Sequence, residues 1–194
     1  MIYLVRHGQT ALNSAHALQG RSDHPLNATG LAQAQAVGDW FRRRGIRFDA
    51  VWSSPLQRAV DTARLIAGED ADIRTDPRLI EMDYGPYEGM DLTRPRPEVL
   101  AFFKDFVHTP APQGMEPLEA VVTRLGEFLE TLRSAGEGKT VLLSTHAIAM
   151  KGALEYLTPE SRGGYWSRNI GNCAVFQTEL RDGVFTVPTE LDLL

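Results

Sequence analysis

Two histidines and two arginines lie at or just beyond the ends of apolar runs that are typical of buried strands. Arg6 and His7 follow the first run, His146 follows the last, and Arg58 comes soon after one between them. An imidazole can act as a nucleophile, and the planar guanidinium fork matches phosphate oxygens. A single histidine at a strand end is more often structural, but the four residues together favour a pocket for a phosphoryl group.

Short apolar runs predict the strands that position these side chains, and they alternate with predicted helices. Strands are predicted at Ile2–Val5, Ala50–Ser53, Ile73–Thr75 and Thr140–Ser144. The alternation predicts a three-layer α/β/α sandwich around a mainly parallel sheet, and the continuous apolar runs indicate that both sheet faces are covered. Ligands of such sheets bind beyond the carboxyl ends of the strands, where these histidines and arginines fall.

Helical spacing and Gly or Pro punctuation predict the remaining elements. The first helix is expected to be capped by Thr29 and stopped by Gly45, with an apolar face of Leu31, Ala34, Val37, Trp40 and Phe41. A second helix is expected to have Pro55 in its first turn and to run to about Ala67. Three more are expected over Glu98–Val107, Glu116–Ala135 and Ala147–Leu157, and Gly136 and Gly138 are expected to end the helix over Glu116–Ala135. Residues 8–27 and 77–96 are expected to be loops, and Ala174–Thr178 is expected to form a hairpin with Val184–Val187.

Arg6 and His7 are adjacent residues at the end of the first predicted strand. Successive strand residues point to opposite faces, so Arg6 and His7 would diverge if the strand simply continued. Gly8 is expected to let the chain turn so that both side chains reach one crevice.

Composition indicates an ordinary globular chain. The 194 residues include 20 basic and 25 acidic side chains, with a net charge of -5. This length predicts a single domain over 1–194, and the mild acidity argues against a nucleic-acid partner. No apolar run approaches the roughly 18 residues of a membrane span. The single cysteine, Cys173, excludes an internal disulfide framework, and a cytoplasmic location is expected.

Four blocks of sequence resemble the histidine phosphatase superfamily, in its phosphoglycerate mutase-like branch. The first block is Arg6-His7-Gly8-Gln9-Thr10 with Asn13, Gln19-Gly20, Asp23, Pro25-Leu26 and Gly30. The second is Ser53-Ser54-Pro55-Leu56 with Arg58-Ala59 and Thr62-Ala63; the third is Leu79 and Glu81 with Gly85 and Tyr87-Glu88-Gly89; the fourth is Ser144-Thr145-His146. A single five-residue match would be weak, but the four blocks occur in the family's order.

The resemblance implies a role for each matching residue. His7 would be the nucleophile that takes the phosphoryl group, and the nearby cations Arg6 and Arg58 would keep its ring unprotonated. Arg6, Arg58 and His146 would hold the non-bridging phosphate oxygens, with Asn13 as a further donor. Gln19 and Gly20 would line the pocket.

The resemblance makes Glu81 the general acid and, in the second half-reaction, the general base. A leaving alkoxide needs a proton, and a bound phosphate favours the protonated form of a neighbouring carboxyl group. No metal or cofactor is expected, because arginines and imidazoles supply the positive charge. The other histidines, His16, His24 and His108, show no metal-ligand spacing.

Two positions depart from the family pattern. Ala147 stands where the family usually has glycine after the second histidine, and a modest change of pocket shape is expected. Gly114-Met115-Glu116 stands where the family often has Gly-Glu-Ser, so no contact is assigned to that loop.

Three functions fit these residues: a phosphatase for a small phosphate ester, a phosphoglycerate mutase that uses a bisphosphoglycerate primer, and a catalytically silent phospho-ligand binder. Mutases of the family carry a longer insertion before the second histidine and a closing C-terminal tail. Here the segment between Glu81 and His146 is short, and little sequence follows Val187. Both observations favour hydrolysis, and the retention of His7, Glu81 and His146 disfavours a silent binder.

The remaining expectations concern the segment that covers the predicted pocket and the molecules that bind the protein. A segment at about 84–112 directly follows Glu81 and is expected to be a lid-like insertion, although its phenylalanines could simply pack onto the body of the domain. The expected partner is a small-molecule phosphate ester. An edge strand near Ala174–Thr178 could also pair in a homodimer.

Overall fold

The structure is a computed structural model that describes residues 1–135 and 137–193. Within these ranges, one six-stranded sheet has the strand order β3-β2-β4-β1-β5-β8, and β6 pairs with β7 in a separate ribbon. The strands are β1 Ile2–Arg6, β2 Ala50–Ser53, β3 Ile73–Thr75, β4 Val141–Thr145, β5 Val175–Thr178, β6 Leu180–Arg181, β7 Val184–Phe185 and β8 Thr189–Glu190. Strands β3, β2, β4 and β1 are parallel, whereas β5 is antiparallel to β1 and β8 is antiparallel to β5.

Helices cover both faces of this sheet. They are α1 Ala11–Ser14, α2 Ala28–Arg43, α3 Gln57–Ala67, α4 Pro97–Lys104, α5 Leu118–Ala135 and α6 Ala147–Leu157. Helices α2 and α3 share a buried apolar cluster with one face, whereas α4, α5 and α6 share a second cluster with the other face. The expected three-layer α/β/α sandwich around a mostly parallel sheet is therefore confirmed.

Strand β1 shows how a continuous apolar run serves both clusters. Ile2 and Leu4 pack into the cluster with α5 and α6, whereas Tyr3 and Val5 pack into the cluster with α2 and α3. All four side chains are at most 7% exposed. Burying an aliphatic side chain of this size contributes about 1.5–3 kcal/mol. This burial fixes the register of β1, and therefore the position of the residues that follow it.

Two predicted helix starts are wrong, one of them because a stronger capping residue lies nearby. Asn27, not Thr29, caps α2: its side-chain oxygen accepts a hydrogen bond from the Gly30 amide at 2.8 Å. Asparagine is the better N-cap because its oxygen reaches the free amides of the first turn readily. Leu31 lies off the buried face and is 46% exposed. Pro55 lies outside α3, which begins only at Gln57.

Helices α4 and α5 are shorter than predicted. Helix α4 ends at Lys104 instead of Val107. Helix α5 begins at Leu118, because Pro117 disfavours a helical conformation at Glu116. The Glu116 side chain instead forms an ion pair with Arg124 at 2.8 Å. Gly138 has a left-handed backbone conformation. That conformation suits a residue beyond a helix end. Gly136 lies outside the described residues.

The loop predicted for residues 8–27 contains helix α1. Thr10 and Asn13 form a capping box around it: the Thr10 side chain accepts from the Asn13 amide, and the Asn13 side chain accepts from the Thr10 amide. This reciprocal cap stabilises a short helix that has no buried residue of its own.

The predicted C-terminal hairpin is wrong. Val184–Phe185 pairs with Leu180–Arg181, whereas Val175–Thr178 joins the main sheet between β1 and β8. Because β5 is an interior strand, it offers no free edge for the expected homodimer pairing.

In the part of the chain that the structure describes, no helix has both the length and the apolar character needed to cross a membrane. The cytoplasmic location stays a prediction.

Candidate active site

The end of β1 carries His7 to a buried position beside β4. The His7 amide donates to the Thr145 carbonyl at 2.9 Å, and the side chain is only 3% exposed. As expected, Arg6 and His7 reach one crevice, since both line the same cavity. Gly8 also allows a close approach, because a Cβ there would overlap the carbonyl oxygen of Gly30 in α2. A Cβ on Gly30 would likewise overlap the carbonyl oxygen of Gln9, so the two segments meet backbone to backbone.

The hydrogen bonds of His7 define its tautomer. Its Nδ1 lies 2.7 Å from the Gly8 carbonyl oxygen. A carbonyl oxygen can only accept, so Nδ1 carries the proton. Its Nε2 is therefore unprotonated, and its electron pair accepts a hydrogen bond from the Arg58 Nε at 3.3 Å. Burial holds the pKa of His7 well below its usual value, and the charges of Arg58 and Arg6 lower it further. The cations act in the predicted direction, but burial is the larger cause.

Arg58, the second residue of α3, is completely buried behind His7. Its Nη1 donates to the Ser22 carbonyl at 2.8 Å, and its Nη2 donates to the Gly20 carbonyl at 2.6 Å. Its Nε is shared between His7 Nε2 and His146 Nδ1, at 3.3 and 3.2 Å. Gly20 thus positions this arginine through its carbonyl, which is a different contribution from the pocket lining expected of it.

His146 is the N-cap residue of α6, and its side chain is fully buried. Its Nδ1 accepts from Arg58, so its Nε2 carries the proton and donates to the Ser54 hydroxyl at 2.7 Å. The ring centres of His146 and His7 lie 5.1 Å apart. Burial, followed by the charge of Arg58, holds the pKa of His146 well below its usual value. Both imidazoles are therefore neutral next to one guanidinium.

Glu81 faces the first turn of α6. One carboxylate oxygen accepts from the amides of Met82 and Ala149 at 2.8 and 2.9 Å, and the other accepts from the Ile148 amide at 3.2 Å. The side chain is 3% exposed. The three amides together hold the Glu81 side chain in one orientation at the first turn of α6.

Three further predicted residues lie on the same side as His7. Arg6 Nη1 donates to the Ile170 carbonyl at 2.6 Å, and Gln19 Oε1 accepts from the Thr10 hydroxyl at 2.6 Å. Asn13 Nδ2 lies 3.4 Å from the same Gln19 oxygen. Across the described residues, Arg6 Nε and Gln19 Nε2 are buried nitrogens without a hydrogen-bond partner. Such donors are costly unless an acceptor reaches them.

A cavity of about 590 Å³ joins these groups. Its volume is within the range of small-molecule sites. Its polar end is lined by Arg6, His7, Asn13, Gln19 and Glu81. Arg58 and His146 stand directly behind His7. Ala147, the departure from the family pattern, also lines the cavity, so its extra methyl group faces this space. The neighbourhood therefore contains every predicted site residue, with Gly20 acting through Arg58.

Sequence reasoning missed the residues that hold the predicted ones in place. Asn172 donates to the His7 carbonyl at 3.1 Å and to the Asn13 side chain at 3.2 Å. The Thr62 hydroxyl accepts from the Gly8 amide at 3.0 Å. Thr62 and Ser54 stand inside the second family block, which was a usable signal. Asn172 had none, because it lies near the other end of the sequence from His7.

Among residues 1–135 and 137–193, no three His, Cys, Asp or Glu side chains are grouped so that they could hold a metal ion.

The family model of the histidine phosphatase superfamily (branch 1) matches residues 2–190. The chain belongs to this superfamily. A probable phosphoglycerate mutase GpmB from Proteus mirabilis is 37% identical over 154 residues, which cover 77% of this chain and 70% of that relative.

Solved structures are similar over nearly the whole chain. Bacillus stearothermophilus YhfR has a TM-score of 0.85 at 29% identity, covering 96% of this chain and 94% of that one. The mycobacterial glucosyl-3-phosphoglycerate phosphatase in complex with VO3 has a TM-score of 0.80 at 26% identity, covering 92% of each chain.

Proposed function

We propose that this chain is a metal-independent phosphomonoester hydrolase that acts on a small phosphorylated metabolite through a covalent phosphohistidine at His7. The observation that carries the proposal is the protonation of this ring. Nδ1–H is tied to the Gly8 carbonyl, so Nε2 carries the electron pair. Arg58 Nε donates to that pair, and its N–H would pass to a phosphate oxygen when the ester binds, which releases the pair for attack. A neutral, fixed imidazole next to a cation suits attack on an anionic phosphate ester.

In the first half-reaction, His7 Nε2 attacks phosphorus, and the bond between phosphorus and the ester oxygen breaks. Glu81, protonated at this stage, gives its proton to the leaving oxygen, which departs as an alcohol. The Nδ1 proton stays on the ring, and the Gly8 carbonyl stabilises the positive charge that develops there.

In the second half-reaction, water attacks phosphorus while the Glu81 carboxylate accepts a proton from it. The nitrogen–phosphorus bond breaks, its electron pair returns to Nε2, and inorganic phosphate leaves. Neutral His7 and protonated Glu81 are restored, so one ester and one water become one alcohol and one phosphate.

Several donors would hold the phosphoryl group. Arg6 Nε and Gln19 Nε2 would donate to its oxygens, with the Asn13 amide close by. Arg58 would contribute its Nε–H and the second N–H of each Nη, because the Ser22 and Gly20 carbonyls each take only one of them. His146 would donate once a proton reaches Nδ1, and an approaching phosphate dianion favours that protonation.

A phosphoglycerate mutase is the second candidate, because relatives such as the Proteus mirabilis protein are named probable phosphoglycerate mutase. Both reactions share the phosphohistidine step and differ only in what accepts the phosphoryl group. Hydrolysis remains the preferred candidate, since the segment between Glu81 and His146 is short.

The domain organisation is part of the proposal. We expect residues 1–194 to act as a single histidine phosphatase domain, with about 84–112 as a lid-like insertion. In support of a lid, Leu92, Pro95, Leu100 and Phe103 of this segment line the same cavity as His7.

A kinetic pair tests the proposal. p-Nitrophenyl phosphate should be hydrolysed in the presence of a chelator, and rapid quenching with radiolabelled ester should place the label on His7. 3-Phosphoglycerate with catalytic 2,3-bisphosphoglycerate should release phosphate faster than it yields the 2-isomer. Faster isomer formation would favour the mutase, whereas tight phosphate binding without turnover of either substrate would favour a silent binder.

A further inference from the structure

The cavity wall carries more positive charge than one phosphoryl group requires. Among the described residues that line it, Arg6, Lys104, Lys151 and Arg168 are cations, and Glu81 is the one carboxylate. The whole chain has a net charge of -5, so this lining has the opposite sign to the chain as a whole. A lining of this kind attracts ligands with more than one anionic group.

Lys151 is the most constrained of these cations. Its side chain is on α6 and only 9% exposed. Its Nζ donates to the Trp166 carbonyl at 2.8 Å and lies 5.1 Å from the centre of the Phe106 ring. An ammonium group has three donors, so this bond leaves two for other acceptors.

The charge of Lys151 is buried without an ion-pair partner, which also favours binding of an anion. Burial lowers its pKa to about 8, which leaves it mostly protonated at neutral pH. Within residues 1–135 and 137–193, no carboxylate lies within ion-pair distance of its Nζ, although Glu81 exerts a weaker favourable attraction. A buried charge is costly unless it is paired, and an anionic ligand group would pair it.

Helix α6 places Lys151 on the side of the leaving group. The amides of Ile148 and Ala149 hold the Glu81 carboxylate, which protonates the leaving oxygen in the proposed mechanism. Lys151 follows Ile148 by three residues, a rise of about 4.5 Å along the helix. Ile148, Lys151 and Glu81 line the same cavity, so a substrate whose ester oxygen meets Glu81 would extend its leaving group along the wall that contains Lys151.

We infer that Lys151, supported by the more exposed Lys104 and Arg168, forms a second anion subsite, so that the preferred substrates are short phosphate monoesters with a second anionic group on the leaving alcohol. That group is a carboxylate or a second phosphoryl group. The inference rests on the proposed hydrolase function, because the leaving-group side is defined by Glu81.

A matched substrate pair tests the carboxylate source. 3-Phosphoglycerate and glycerol 3-phosphate have nearly the same shape, but the first ends in a carboxylate where the second ends in an alcohol. The wild-type protein should prefer 3-phosphoglycerate, and Lys151→Met should lower the ratio of the two kcat/KM values about tenfold. Lys139→Met, a change at an exposed lysine outside the cavity, should leave the ratio unaltered.

A bisphosphate pair tests the other source. 1,3-Propanediol bisphosphate is compared with its monophosphate in the same variants. A Lys151-dependent preference for this pair but not for the carboxylate pair would assign the subsite to a phosphoryl group. If Lys151→Met changes neither ratio, the inference is wrong, and Lys151 serves only to bind the Trp166 carbonyl.

Two further measurements keep this outcome separate from failure of the hydrolase proposal. Calorimetry with His7→Ala measures binding of the same pairs without turnover, so a subsite would still be detected in a silent binder. Turnover of p-nitrophenyl phosphate without any anion preference would uphold the hydrolase and reject the subsite. If Lys151→Met fails to fold, Lys151→Gln, which retains a donor for the Trp166 carbonyl, replaces it with the same criterion.

Discussion

At one end of the cavity His7 and Glu81 are held by main-chain groups, whereas at the other end Phe103, Lys104 and Phe106 extend from α4 and the turn after it. At the catalytic end, backbone donors and acceptors fix each reacting atom. At the far end, ring contacts such as the 4.9 Å pair of Phe102 and Phe106 supply shape but few fixed polar atoms. The reacting groups are thus preorganised by main-chain hydrogen bonds. The side chains of α4 and the turn after it, which have fewer fixed polar contacts, would determine which substrates are preferred.

Removal of the nucleophile tests the catalytic end with the largest expected effect. His7→Ala should lower kcat for p-nitrophenyl phosphate by about 10³-fold or more, because no other group can form the covalent intermediate. Steady-state kinetics measure the loss, with His108→Ala, at an exposed position, as the control. Activity within tenfold of the wild type would reject the assignment of His7.

Arg58 tests whether geometry, beyond charge, matters at this end. Arg58→Ala should lower kcat/KM by about 10²-fold or more, and Arg58→Lys should recover only part of it, because an ammonium cannot satisfy two carbonyls and two imidazoles at once. Kinetics are compared with thermal unfolding of both variants. Full recovery with lysine would mean that a point charge is sufficient.

Glu81 tests the boundary between the two ends, because it faces the leaving group. Glu81→Gln should lower turnover of alkyl phosphates about 10²-fold, but should affect p-nitrophenyl phosphate much less in the phosphorylation step, since p-nitrophenolate leaves without protonation. Pre-steady-state bursts isolate that step from hydrolysis of phosphohistidine. Equal losses for both leaving groups would exclude an acid role.

The smallest expected effect is the cost of keeping two neutral histidines at the catalytic end. The folded-state pKa values of His7 and His146 lie well below 6.5, so on acidification the unfolded chain binds protons that the native protein does not. Stability is therefore lost as pH falls below about 6.5, by up to about 1.4 kcal/mol per pH unit for each histidine.

Urea denaturation at several pH values between 5 and 7.5 measures this slope. His7→Gln removes one of the two groups and should make the slope shallower, whatever its effect on absolute stability. An identical slope in the variant would show that His7 titrates normally in the folded protein.

The sequence was most informative where local pattern and tertiary role agree. The continuous apolar runs of β1 and β4 and the span of α6 were predictable because burial on both faces leaves a clear hydrophobic signal. The placement of β5 was not predictable, because its partner β1 lies at the opposite end of the sequence and the turn at Asp182-Gly183 suggested a local hairpin.

The site residues likewise divide into those with a local sequence signal and those placed only by tertiary packing. His7, Arg58, Glu81 and His146 stand in motifs that resemble a known family, so their roles could be inferred before their geometry was known. The contribution of Lys151 could not, because α6 consists mostly of apolar buried residues, and only tertiary packing shows that this lysine faces the cavity.

The backbone contact between Gly8 and Gly30 has a consequence for how such a protein acquires new substrates. Any side chain at either position would force the nucleophile loop away from helix α2, so a saturation library would find both positions intolerant although neither glycine carries a reactive group. Adaptation toward a different metabolite would accumulate in the residues of the opposite wall, and the reaction itself would be inherited unchanged.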